Sequence, residues 1–140
     1  MQNQKIIFLI EDNEMDYIAV KRSLKLHQLD EEYQLVRFES AETCIQYFAE
    51  QELKFQKALF LVDINLPGIS GKQLLTKLKP QLPSSLAKFI MFSSSNNDKD
   101  ISQSYQAGAD AYVVKQPNYN RFSEQLKITI KFWLEAVQYA

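Results

Sequence analysis

A chain of 140 residues suits one compact domain, and an apolar share of 46% supplies a single hydrophobic core. Sixteen basic residues against seventeen acidic ones leave a net charge of −1, which gives no basic footprint for nucleic acid. Cys44 is alone, so an internal disulfide is excluded and a reducing compartment fits; three glycines and four prolines leave no linker tract.

Ile6-Ile7-Phe8-Leu9-Ile10 is a continuous apolar run, the pattern of a strand covered on both faces. It is far shorter than the ~18 residues of a spanning helix and ends in carboxylates, unlike a secretory leader. A soluble, cytoplasmic protein without a membrane partner is expected. After Glu11-Asp12-Asn13 comes a helical stretch with Tyr17, Val20 and Leu24 on one side. Residues 33–38 alternate as a strand near a sheet edge. Ser40 is an N-cap candidate, followed by Ala41, Cys44, Ile45 and Phe48 at helical spacing. Ala58-Leu59-Phe60-Leu61-Val62 is a second buried-strand run, ending at Asp63. Gly71 opens a short helix with Leu74, Leu75 and Leu78, which Pro80 and Pro83 close. Phe89-Ile90-Met91-Phe92 forms the fourth strand and leads into Ser93-Ser94-Ser95. A polar helix with Ile101 and Tyr105 stops at Gly108, and Ala111-Tyr112-Val113-Val114 forms the fifth strand, ending at Lys115. The last helix carries Phe122, Leu126, Ile130, Trp133 and Val137.

Five strands alternating with five helices define an α/β fold with a parallel sheet and helices on both faces. In such sheets ligands gather beyond the carboxyl ends of the strands, where this chain places Glu11-Asp12, Asp63, Ser93 and Lys115. Three carboxylates at one edge raise each other's pKa unless a cation joins them, and hard oxygen ligands around an open position suit magnesium. A carboxylate, a divalent metal, a hydroxyl and a lysine are the parts of a phosphoryl-transfer site.

Five motifs in order carry a resemblance. They are Ile10-Glu11-Asp12-Asn13, the run from Val62-Asp63 through Asn65-Leu66-Pro67 to Gly71, Phe92-Ser93-Ser94-Ser95, Ala107-Gly108-Ala109-Asp110-Ala111-Tyr112, and Lys115. Together they make the chain similar to the receiver domain of two-component response regulators over essentially its whole length. That resemblance implies a flavodoxin-like, doubly wound (βα)5 fold with strand order 2-1-3-4-5, and one receiver domain over residues 1–140 with no output domain. It implies that Asp63 is the phosphoacceptor and that Glu11, Asp12, Asp63 and the backbone carbonyl of Asn65 hold Mg2+. Ser93 would hydrogen-bond the phosphoryl group, Lys115 would pair with it, and Tyr112 would turn inward with Ser93 as the switch. The implied partners are a sensor histidine kinase or histidine phosphotransfer protein and a downstream protein. The latter would be met by the face of the fourth helix, fifth strand and fifth helix. The protein would then be a phosphoprotein of a phosphorelay rather than an enzyme acting on a separate substrate. Glu-Asp-Asn-Glu-Met-Asp at the first helix further resembles receivers paired with phytochrome-type kinases.

The chain departs from the pattern at Gln116, which stands between Lys115 and Pro117, where many receivers have proline directly after the lysine. Asn65 and Ser95 occupy positions that tune phosphoryl lifetime in the family. A phosphohydrolase would need an acid two residues after Asp63, and Asn65 cannot serve; a receiver that binds partners without phosphorylation is the other alternative. Taken singly, Asp63 reads as a turn or cap residue, Ser93 as a loop serine, Lys115 as a solvated charge and Tyr112 as packing. His27 reads as a cation suited to a helix end, and Cys44 as packing. Trp133, with Phe132 and Tyr139, reads first as core and second as a homodimer contact.

Overall fold

The computed structural model describes residues 4–52 and 54–140, so a leader-free start falls partly on residues outside this range. In chain order the elements are β1 (Lys5–Ile10), α1 (Glu14–Leu26), β2 (Gln34–Phe38), α2 (Ala41–Glu50), β3 (Lys57–Val62) and α3 (Gly71–Leu78). They continue with β4 (Ala87–Ser93), α4 (Asp98–Gln106), β5 (Ala111–Val114) and α5 (Tyr119–Lys131). The strands form one parallel sheet in the order β2-β1-β3-β4-β5, as the resemblance implies.

The apolar runs are continuous because the central strands are covered on both sides. Alternate residues of a strand face opposite ways, so each run feeds two cores. Ile6, Phe8 and Ile10 join Phe60, Phe89 and the leucines of α3 in one core; Ile7 and Leu9 join Leu59, Leu61, Phe92 and the apolar sides of α1 and α5 in the other. Register reinforces the first core. Phe8 pairs with Phe60 and Phe60 with Phe89, and their rings stack across the sheet at 4.8 and 4.3 Å between centroids.

Helix starts follow local chemistry. Asn13, Ser40, Ser70, Asn97 and Asn118 each accept a backbone N–H of the first turn, and Ser70 with Gln73 completes a reciprocal capping box. Ser70→Ala should lower stability by about 1 kcal/mol in chemical denaturation, with unchanged slope. At the other end of α4, Gly108 adopts φ +111° and Ala109 N–H bonds the Ser104 carbonyl, which closes the helix in a Schellman turn. Asp110 then accepts the Phe89 N–H at 2.8 Å and Lys79 Nζ at 3.0 Å, seating the start of β5 against β4.

The chain's end differs from the sequence reading. The α-helix stops at Lys131, a π-helical turn spans Phe132–Ala136, and Val137 is extended. Lys5 Nζ donates to the Leu134 carbonyl at 2.9 Å and Lys57 Nζ to the Val137 carbonyl at 2.7 Å, capping the helix end with cations. Tyr33 donates to Glu135, and Lys57 and Lys88 lie over the Tyr139 ring. The segment after α5 is thereby folded beneath the amino ends of β1, β3 and β4. Trp133 is partly buried against the α1 and α5 core, as its first reading has it. His27 caps α1 and meets the Ser123 hydroxyl at 2.9 Å. Cys44 is fully buried, and burial pushes its thiol up to about 12, which makes it inert packing. Among the described residues no helix is long and apolar enough to cross a membrane.

Candidate functional site

Strand register assembles the site. Ile10 pairs with Val62, and Asp63 N–H bonds the Ile10 carbonyl at 3.1 Å, so Glu11 and Asp63 leave the sheet side by side. On the other side of β3, Ser93 pairs with Val114, and Lys115 N–H bonds the Ser93 carbonyl at 2.8 Å. Lys115 starts from the edge strand, so its long side chain must pass over β4 to reach the carboxylates. Its Nζ lies 5.7 Å from the centroid of the Phe92 ring on the way.

At the end of that reach, Lys115 Nζ meets Glu11 Oε1 at 2.5 Å, Asp16 Oδ2 at 2.9 Å and Asp63 Oδ2 at 3.3 Å. Exposure is graded across the group: side chains are 2% accessible at Glu11, 8% at Lys115, 12% at Asp63 and 41% at Asp16. Burial raises the Glu11 carboxyl to about 7 against the opposing charge of Lys115. For Lys115, burial would lower the ammonium, but the charges of Glu11 and Asp63 and the hydrogen bonds to Glu11 and Asp16 outweigh it and raise the pKa. The second oxygens of Glu11 and Asp63 are fixed by backbone: Asn13 N–H donates to Glu11 Oε2 at 3.2 Å, and Asn65 N–H to Asp63 Oδ1 at 3.1 Å.

The carboxylate oxygens that lie within 4.8 Å of one another belong to Glu11, Asp16 and Asp63. This acidic set with oxygen donors fits a hard divalent ion. Asp12 is exposed and outside that group, and Asn65 is exposed on the loop after β3. Asp16 is the member that sequence reading missed. Its signal was the spacing Asn13-Glu14-Met15-Asp16, in which the capping Asn13 accepts the Asp16 N–H at 3.0 Å and sets the third helical residue over the strand ends.

The loop after β3 is shaped by two glycines. Gly68 has φ +75°, and a Cβ there would fall 2.3 Å from Glu42 Oε2, which accepts the Ile69 N–H at 3.1 Å. Gly71 N–H bonds the Ile64 carbonyl at 3.1 Å, bringing α3 so near that a Cβ would stand 2.2 Å from the Asp63 carbonyl oxygen.

On the far side of the site, Ser93 is fully buried and its hydroxyl accepts the Ser95 N–H at 3.2 Å. Ser95 Oγ donates to Asp100 at 2.7 Å, and Lys72 bridges Asp100 and Gln103 at 3.0 and 2.6 Å. The hydrogen bond from Ser95, followed by that from Lys72, holds the Asp100 carboxyl below its ordinary value. Tyr112, partly buried, donates to the Ser95 carbonyl at 2.7 Å, and its own N–H bonds the Tyr105 hydroxyl at 3.1 Å. The described residues contain no cis peptide, the Lys115-Gln116-Pro117 segment included. Beside Lys115 a cavity of about 320 Å³ is lined by Asp16, Ser94, Gln116, Pro117 and Phe122.

A partly open carboxylate flanked by acids, an ammonium and a buried hydroxyl, at the carboxyl edge of a five-stranded parallel sheet, defines a receiver. A family model described as the response regulator receiver domain matches residues 7–127, and the chain belongs to that family. It is a response-regulator receiver of two-component signalling.

Among curated relatives it is similar to the response regulator Rcp1 of Synechocystis sp., 28% identical over 134 residues, covering 95% of this chain and 91% of Rcp1. Chemotaxis protein CheV2 of Helicobacter pylori is 26% identical over 130 residues, of which this chain spans 40%. Among solved structures, the phosphorylated cyanobacterial phytochrome response regulator RcpA aligns with a TM-score of 0.82 at 25% identity, covering 97% of this chain and 98% of RcpA. The manganese-bound form of Rcp1 aligns at 0.78 and 25% identity, covering 97% and 99%.

Proposed function

We propose that this chain is a phosphorylation switch in which Asp63, with Mg2+, accepts a phosphoryl group from a histidine kinase or histidine phosphotransfer protein. An Asp63 carboxylate oxygen attacks phosphorus in line, the P–N bond to the donor imidazole breaks, and the imidazole leaves with the electron pair. The observation that carries this reading is the convergence of Lys115 on Glu11 and Asp63, with Asp63 the more open of the two carboxylates. Glu11, Asp12, Asp63 and the Asn65 carbonyl would hold the ion, Asp12 from the exposed rim, while Asp16 stays with Lys115. The ion's part is to offset the charge on the transferring oxygens. The manganese-bound state of Rcp1 supports divalent binding, and the phosphorylated state of RcpA supports phosphorylation of this fold. RcpA is a phytochrome response regulator, which favours a photoreceptor-type kinase as donor.

Ser93 would move to hydrogen-bond the phosphoryl group, releasing the Ser95 N–H it now accepts. Tyr112, tied to the Ser95 carbonyl, would follow and remodel the face of α4, β5 and α5 that meets a downstream protein. The match to Rcp1 over 91% of that protein supports the receiver as the working unit.

Intact-mass spectrometry after incubation with acetyl phosphate tests the reading. One phosphoryl adduct should form with Mg2+ and fall at least tenfold in rate when the metal is chelated. A folded protein that gains no adduct from acetyl phosphate or from a phosphorylated histidine kinase, with metal present, would sink it.

A further inference from the structure

We propose that Asp16 is a positioning residue of this switch: it holds the Lys115 ammonium before phosphorylation and competes with the phosphoryl group for it. The proposal rests on the phosphoacceptor reading above. An ammonium has three N–H donors, and the oxygens of Glu11, Asp16 and Asp63 take all three. Phosphoryl oxygens on Asp63 would need one of these donors, so an existing contact must yield.

The three contacts differ in what release would cost. Glu11 is almost fully buried, so water cannot readily replace the ammonium on its carboxylate. Asp63 carries the phosphoryl group itself. Asp16 is the most accessible of the three, so water replaces the lysine on its carboxylate at small cost. Its place in the first turn of α1 also favours a negative charge without any lysine. The cavity beside Asp16 and Lys115 gives both side chains room to part. Asp16 therefore restrains the ammonium in the resting protein and raises the threshold for capturing the phosphoryl group.

The test is the affinity for beryllofluoride, a phosphoryl mimic, at saturating Mg2+, followed by fluorine NMR. The four proteins of the cycle are wild type, Asp16→Asn, Lys115→Met and the double variant. Asp16→Asn should tighten binding about fivefold when Lys115 is present and change it less than about twofold in the Lys115→Met background. Asp16→Glu, which keeps the charge, should stay within about twofold of wild type, and this arm carries the test alone if Lys115→Met does not fold. Unchanged or weaker binding in Asp16→Asn, or an equal gain without Lys115, would overturn the role of Asp16 and leave the phosphoacceptor reading standing. Weaker binding is also the result expected if Asp16 instead holds the metal. No binding by wild type would overturn both.

Discussion

Asp63→Asn should abolish the phosphoryl adduct at every Mg2+ concentration, while the protein stays folded. The amide has the shape of the carboxylate and can keep the contact of its oxygen with the Asn65 N–H, so the loop after β3 should hold its course. It lacks the nucleophilic oxygen pair, and its neighbours are poorly placed to substitute. Glu11 is buried, with one oxygen on Lys115 and the other on the Asn13 N–H. Asp16 sits farther out on α1. Stability should change little, because relief of the repulsion with Glu11 offsets the lost attraction to Lys115. Intact mass and a denaturation curve on the same sample check both halves. An adduct of wild-type size on Asp63→Asn would place the acceptor elsewhere.

Gly71→Ala should do the opposite, damaging the fold and the site together. A Cβ there would meet the Asp63 carbonyl oxygen at 2.2 Å, the Asp63 carbonyl carbon at 2.9 Å and Ile64 Cα at 3.0 Å. All three are backbone atoms, with no flexible side chain to swing aside. Either α3 moves off the sheet, loosening Leu74, Leu75 and Leu78 from the core, or the carboxyl end of β3 shifts. Overpacking of this kind costs about 3 kcal/mol. The denaturation midpoint should drop accordingly, and labelling of the surviving folded protein should slow at least tenfold, because small displacements in a positioned site are expensive. Wild-type stability and labelling together would show that the close approach of α3 to Asp63 is not needed.

Much of this architecture was legible because the sheet is buried on both faces. The runs Ile6–Ile10, Ala58–Val62 and Phe89–Phe92 are too short for helices of their kind and too apolar for half-exposed strands, so local composition points to one answer. Caps were equally local: Ser40 and Gly108 act within a few residues of themselves. The end of α5 was not legible. Helical spacing carries on through Trp133 to Val137, but the carbonyls of Leu134 and Val137 are drawn to Lys5 and Lys57, far away in sequence. Gln116 raised a similar question that only the fold could answer: one added residue before Pro117 does not stop Lys115 from reaching Glu11 and Asp63.

The site was legible as an order of motifs on strand ends and not as a set of contacts. Asp16 shows the difference. In sequence it reads as an acid in a helix's first turn, where the dipole alone explains it. Only the sheet register brings β5 close enough for Lys115 to claim it.

The stacked rings of Phe8, Phe60 and Phe89 give this sheet a directional stiffness. Its middle cannot yield without breaking dense aromatic packing, so a disturbance at Asp63 finds no compliant path downward through the core. Sideways the material is softer. Beyond β4 lie only the four partly exposed residues of β5 and polar links through Ser95, Tyr105 and Tyr112, which can exchange one partner for another at little net cost. On the phosphoacceptor reading, a charge gained at Asp63 would be relieved by movement at this edge, where a partner would read it.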